Sequence, residues 1–286
     1  MTSSPRTLLL AAALCACASL ASGAGSFAPF EEWKAAVAAG DQASLARLYS
    51  SNPPAKVVVG RDNGALADEQ QFWAGLKSAG VTDVNAKLLD VDTNSGKKRV
   101  LLRVHAMKNG QSVVASMVQI WEQRPDGWRI TATRRTDFAA GAPRRLPEPV
   151  TPNPNLYPEP SEAEADLKAA LVHAGKEHKR VLVMFGGNWC YDCHVLDNTF
   201  HSKEFAPLLD ANYVLVHINI GEEGKDNNDM AARMGAALDK GVPSLAVLDP
   251  DGNVVVAQKN GEFESTVKIG PEEVRAFLEQ WKPART

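Results

Sequence analysis

The residues best suited to chemistry are two cysteines three places apart, in the run VLVMFGGNWCYDCH over residues 181–194. The apolar stretch Val181–Phe185 reads as a short buried strand. A glycine-containing turn follows, and Cys190 then opens a helix. A sulfur at a helix start faces unpaired backbone N–H groups and the positive end of the helix dipole, and both favour a thiolate. Cys190 is therefore expected to be more acidic than a free thiol, whose pKa is about 8.5. Cys193 falls one turn on, on the same face, where it can attack a mixed disulfide formed at Cys190. The spacing thus supplies an attacking and a resolving thiol.

Other chemistries fit the same residues. With His194 the run satisfies C-x-x-C-H, the attachment signature of a c-type haem, with Met230 or Met234 as a candidate axial ligand. Cys190 and Cys193 with His194 and His201 offer zinc ligands, although a closed site needs four and no second cysteine pair exists. A purely structural disulfide is a further option, but so short a loop gains little from closure. The thiol–disulfide reading needs no metal or organic cofactor.

The pair sits in a second unit where helix and strand alternate. Helices are expected over 161–178, 190–200, 228–238 and 271–281, and strands over 181–185, 213–220, 245–248 and 254–258. Ser161 and Glu164 have the spacing of a capping box. Downstream of the cysteines, Gly241-Val242-Pro243-Ser244 leads into a strand. Trp189-Cys190-x-x-Cys193 after an apolar strand, together with this Val-Pro element, resembles the thioredoxin superfamily across 161–286. The resemblance implies a thioredoxin fold, a cis peptide before Pro243, and a substrate groove shaped by Trp189, Val242 and Pro243. The run from Cys193 to Phe200 is most similar to thioredoxin domains of bacterial envelope reductases. That favours reduction of disulfide-containing envelope proteins, with electrons from a thiol donor. The sequence departs from the family pattern in one respect. Where typical thioredoxins carry a buried Asp and Lys, this chain has Met184 and His217. Asp192 and His217 are therefore the candidates for handling the Cys193 proton.

Ahead of this unit lies a proline-rich stretch, with prolines at 143, 147, 149, 152, 154, 158 and 160. Such density disfavours helix and central strand and suits an extended spacer, assigned here to 141–160. Residues 27–140 form a first unit. Phe30, Trp33, Val37, Leu45, Leu48 and Tyr49 recur at helical spacing, and a third helix capped by Asp68 carries Phe72, Trp73 and Leu76. Four β-rich runs follow over 81–92, 97–108, 111–123 and 127–138, separated by turn signals such as Asn109-Gly110 and Asp126-Gly127. Val100, Leu102, Val104 and Ala106 alternate with Arg99, Leu101, Arg103 and His105, so one face is expected to be buried and the other mixed. Helices followed by an antiparallel meander make an α+β unit. With the Gly127-Trp128-Arg129-Ile130 ending, its order resembles the nuclear-transport-factor-2-like (SnoaL-like) cone fold. Trp33, Tyr49, Trp73, Trp121 and Trp128 are assigned to core packing. The alternative is a pocket at the open end of the cone, with Arg103 and His105 supplying polar contacts. A partner, a second copy or a small ligand is the expected occupant of this unit.

The first residues read as an export signal over 1–24. Arg6 precedes the apolar run LLLAAALCACASL at 8–20, and small residues follow. The run is too short to span a bilayer as a stable helix. Cleavage near 23–24 competes with lipidation at Cys17 in a lipobox-like context. Either route implies a periplasmic or cell-envelope protein. Elsewhere the 286 residues have a globular composition, 44% hydrophobic and 23% charged, with a net charge of −3. Nothing in that balance resembles a nucleic-acid-binding surface.

The expected protein is an exported thiol:disulfide oxidoreductase. The alternative is a binding or assembly module built on the same scaffold.

Overall fold

The computed structural model describes residues 27–94, 96–142 and 144–284, with side chains left aside at 90–94. The export segment and Cys17 lie outside the described residues.

The first half begins with helices α1 (Ala28–Ala39), α2 (Gln42–Leu48) and α3 (Leu66–Ala74), with the short strands β1 (Lys56–Val59) and β2 (Asp62–Gly64) before α3. The meander follows as β3 (Val81–Asn94), β4 (Lys97–Lys108), β5 (Gln111–Arg124) and β6 (Gly127–Arg135). The four β-rich runs of the sequence are thus present within a few residues of their expected ends. The sheet order is β2-β1-β6-β5-β4-β3, and a two-residue strand β7 (Ala139–Ala140) pairs with β5. Only β1 and β6 run parallel. The inner face of this curved sheet, with Val100, Leu102, Val104, Met117 and Ile130, closes over Phe30, Trp33, Tyr49 and Trp73 from the helices. Trp33, Tyr49, Trp73 and Trp121 are core residues, as expected, and Trp128 packs at the margin. Helix α3 starts at Leu66 after Ala65, so Asp68 stands in its first turn and does not cap it.

The second half carries α4 (Ala163–Glu177), β8 (Arg180–Gly186), α5 (Tyr191–Phe200), α6 (Ala206–Asn212), β9 (Tyr213–Asn219), α7 (Asn228–Met234), β10 (Ser244–Leu248), β11 (Val254–Ala257) and α8 (Pro271–Gln280). Its sheet runs β11-β10-β8-β9, with β8 and β9 parallel and the other pairs antiparallel. Helix α6 was not expected. The capping box at Ser161 does not form either. A short 3₁₀ turn over Pro160–Glu162 precedes α4, and Glu164 turns outward to pair with Arg233. The fold is therefore an α+β cone followed by an α/β thioredoxin-type sandwich.

One expectation about the first half is corrected. Arg103 and His105 do not line the open end of the cone. They stand on the outer face of β4, and that face is covered by the second half. Leu89 and Leu101 belong to the same apolar cluster as Tyr191, Leu196 and Leu245, and Val118 packs against it. Residues 100–104 are consequently buried on both faces. The mixed alternation along β4 therefore marks a strand between two partners, not one facing water.

The proline-rich segment is bound to the second half by four asparagines, one of them Asn198, whose Nδ2 donates to Pro147 O at 3.0 Å. Asn188 accepts a hydrogen bond from Tyr157 N and donates one to Tyr157 O, both at 2.9 Å. Asn219 Nδ2 donates to Pro158 O at 2.7 Å and Asn227 Nδ2 to Pro160 O at 2.9 Å. Outside a strand these carbonyls lack a ladder partner, so side-chain amides donate to them, and the Ala163 N–H donates to Pro160 O as well.

Candidate functional site

Strand β8 ends at Gly186, and the Gly187–Trp189 turn delivers Cys190 as the N-cap residue of α5. Its Sγ accepts from the Cys193 backbone N–H at 3.1 Å, the contact expected of a sulfur at a helix start. Cys190 and Cys193 are joined by a disulfide, with Cα atoms 5.2 Å apart. The Val242–Pro243 peptide is cis. It brings the Val242 carbonyl oxygen within 3.7 Å of Cys190 Sγ. Trp189 Nε1 donates to Gly221 O at 2.9 Å, which fixes the indole beside the pair. The five residues expected at the pair and its groove thus meet in one place.

The residue between the cysteines most open to a proton-handling role is otherwise engaged. Asp192 Oδ1 accepts from Arg103 Nη2 at 2.8 Å, from Thr266 N at 2.8 Å and from Thr266 Oγ1 at 2.5 Å. Arg103 also donates to Ser116 Oγ and Thr266 Oγ1, and its guanidinium lies 4.2 Å from the Tyr191 ring centroid. Both residues between the cysteines are therefore held by a strand of the first half. Glu148 completes the cluster, paired with Arg103, His105 and Lys87 and accepting from the Tyr191 hydroxyl. Burial pushes the Glu148 carboxyl up. Hydrogen bonds from His105 and Lys87 and the Arg103 charge outweigh this and hold it well below the usual carboxylate range.

His217, the other relay candidate, stands opposite Met184 in the parallel β8–β9 register. Its Nε2 meets Asp197 Oδ1 at 3.0 Å. Asp197 also meets His201, whose pKa is raised to about 9 by that hydrogen bond. Burial raises the Asp197 carboxyl, but the two imidazoles outweigh it and hold it low. His194 Nε2 lies 3.0 Å from Asn188 O. Among the described residues no three His, Cys, Asp or Glu side chains stand close enough together to hold a metal ion, so His194 and His201 do not join the cysteines as the zinc reading requires. Met230 and Met234 of the haem reading sit in the apolar core between α7 and the sheet.

Cys190 is 5% exposed and opens onto a cleft of about 710 Å³ between the two halves. Trp189, Cys190 and Val242 line it on one side, and Val58, Val118 and Arg134 on the other. Arg134 stacks over the Trp189 ring at 4.9 Å. Arg103, Thr266, Glu148 and Arg134 carry no sequence signal for a place at this site. Arg103 and Arg134 reach it through the packing of β4 and β6 on the second half, Glu148 comes from the proline-rich segment, and Thr266 lies within the second half, between β11 and α8.

Residues 162–250 match the family model described as thioredoxin-like. The second half is accordingly thioredoxin-like, with a close cysteine pair of the thiol–disulfide oxidoreductase type. No curated protein matches the chain. Among solved structures, a disulphide isomerase from Xylella fastidiosa Temecula1 is similar at 28% identity, over 44% of this chain and 95% of its own, with a TM-score of 0.41. An NTF2-like protein of unknown function from Shewanella oneidensis MR-1 is similar at 16% identity, over 38% and 94% of the two chains, with a TM-score of 0.34. An NTF2-like superfamily protein from Salmonella enterica matches at 15% identity, over 40% and 87%, with a TM-score of 0.32. The NTF2-like matches fall on the N-terminal region.

Proposed function

We propose that the protein is a thiol:disulfide oxidoreductase of the cell envelope that reduces protein disulfides. The observation that carries the reading is Cys190 as a helix N-cap, bonded to Cys193 and opening onto a cleft beside the Val242 carbonyl. In the reduced protein the Cys190 thiolate attacks one sulfur of a substrate disulfide. A mixed disulfide forms and the substrate's other sulfur leaves as a thiolate. Cys193, as thiolate, then attacks Cys190 Sγ. The Cys190–Cys193 bond forms, and the second substrate sulfur leaves with the electron pair. Two electrons have passed to the substrate, and an external thiol donor returns them by the reverse exchange. Trp189, Val242 and Pro243 shape the groove. The apolar run and small residues of 1–24 support export, with lipidation at Cys17 as the variant form.

A second reading has one observation in its favour. The first half covers Tyr191 and Asp192, leaving little of the pair open. A scaffold that presents a surface and seldom turns over would tolerate that cover. Cys193→Ala separates the two readings. An oxidoreductase accumulates mixed disulfides through Cys190, identifiable by mass spectrometry, and its insulin reduction disappears in Cys190→Ser. If Cys193→Ala traps nothing and Cys190→Ser matches the native protein in insulin reduction, the redox reading fails.

A further inference from the structure

Tyr157 belongs to the proline-rich segment, yet it is buried, at 2% exposure. Its backbone is tied on both sides to Asn188, in the turn that leads to Cys190. Its ring packs edge-on against His217, with centroids 5.2 Å apart and planes at 83°. Among the described residues, however, its hydroxyl has no hydrogen-bond partner. A buried phenolic O–H is rarely left unpaired, because the cost of stripping its water is then not recovered.

The position of that oxygen explains what it lacks. A Cβ added at Gly186 would collide with both the Tyr157 hydroxyl and Cys193 Sγ, lying 2.6 Å from the sulfur. The hydroxyl and the buried sulfur thus both close in on the bare Cα of residue 186, in a gap too narrow for a methyl group, which glycine alone permits. In the disulfide, Cys193 Sγ carries no charge and is a weak acceptor. Once the disulfide opens, the same sulfur becomes a thiolate or thiol beside an idle donor.

We propose that Tyr157 donates a hydrogen bond to Cys193 Sγ when the disulfide is cleaved, stabilising Cys193 as the leaving thiolate. This rests on the reading of Cys190 and Cys193 as a redox pair. A thiolate from substrate or donor attacks Cys190 Sγ and forms a new S–S bond. The Cys190–Cys193 bond breaks, and its electron pair leaves on Cys193. The phenol keeps its proton and offers it as a hydrogen bond. Nothing beyond the attacking thiolate is consumed. A better-stabilised leaving thiolate departs faster. Burial, with the nearby Asp197 charge, holds the phenol well above the ordinary tyrosine range, so it stays a donor at any working pH. The other groups that face it are His217, which is paired with Asp197, and Asn188. His201 is the further partner of Asp197.

Tyr157→Phe removes only the unpartnered oxygen. In a Cys190→Ser background Cys193 has lost its disulfide partner, and its alkylation by iodoacetamide at pH 7, followed at that residue by mass spectrometry, reports its thiolate fraction. Tyr157→Phe should slow that alkylation roughly tenfold, the worth of a hydrogen bond to a charged group. With both cysteines present, reduction of the disulfide by dithiothreitol should slow as well. The thermal midpoint of the oxidised protein should hold or rise, because no bond is lost in that state. A purely structural role would lower the midpoint and leave the alkylation rate alone. Alkylation rates within twofold of one another would overturn the proposal. Should the native protein fail to turn over disulfides while the alkylation effect persists, the functional reading falls and this contact stands.

Discussion

Replacing Arg103 by Met tests whether the first half is part of the redox site. Met keeps most of the stem and removes the guanidinium. Asp192, 5% exposed, then retains only the two Thr266 donors and loses its counter-charge. Removing one member of a buried ion pair costs about 3–5 kcal/mol, because the other charge stays behind. Asp192→Asn should be milder, about 1–2 kcal/mol. The amide oxygen can still accept from Thr266, and Arg103 keeps Glu148 at 3.3 Å and Ser116 at 3.2 Å. The double variant strands no aspartate, so its cost should fall short of the two single costs added together by more than about 1 kcal/mol. A chain with two cores need not unfold in one step, so a local probe is sharper than a global one. The Thr266 amide, which donates to Asp192, is that probe. Its hydrogen exchange in Arg103→Met should quicken by roughly two to three orders of magnitude, at about 1.4 kcal/mol per decade. Exchange within threefold of the native rate, together with additive costs in the double variant, would refute the idea that this pair locks the halves.

Two further outcomes follow from the same geometry. Gly186→Ala puts a Cβ against the Tyr157 hydroxyl and 2.6 Å from Cys193 Sγ, so it should destabilise the oxidised protein by about 1–3 kcal/mol in urea titrations; a neutral result would mean that the Tyr157 ring gives way without cost. The Glu148 carboxyl is held below its usual value in the fold, so its contribution is present above about pH 4.5 and is lost as the pH falls from there. The protection of the Thr266 amide, its exchange taken relative to the intrinsic rate at each pH, should therefore fall in acid, and Glu148→Gln should flatten that dependence.

Much of the frame was legible in the sequence because it rests on local patterns. The strands of the meander follow from period-two alternation broken by Asn-Gly and Asp-Gly turns. Cys190 at a helix start follows from an apolar run, glycines and the onset of helix. What stayed hidden depends on which surface meets which. Arg103 alternates correctly along β4, but alternation names a face and not its partner, so it does not say that the second half covers that face. Tyr157 lies among prolines, where periodicity is silent, so nothing local distinguishes a core aromatic from an exposed one. Ser161 has the spacing of a helix cap, yet the 3₁₀ turn starting at Pro160 places the first α-helical turn beyond its reach.

The hidden residues share one property: each reaches the cysteine pair from outside the segment that carries the thioredoxin-like match, or from its far side. Tyr157 lies before residue 162 and Arg103 well before it, while Thr266 lies after residue 250. The residues between two redox cysteines tune both the acidity of the first and the departure of the second. Here those residues are Tyr191 and Asp192. The first stacks on Arg103 and hydrogen-bonds Glu148, and the second is charge-paired to Arg103. Cutting the chain after the prolines would hydrate Asp192, free the Tyr191 ring and leave the space beside Cys193 open to water. Under the proposed function, the exchange chemistry of this pair depends on the two halves packed together, because Arg103 on the outer face of β4 holds both residues between the sulfurs.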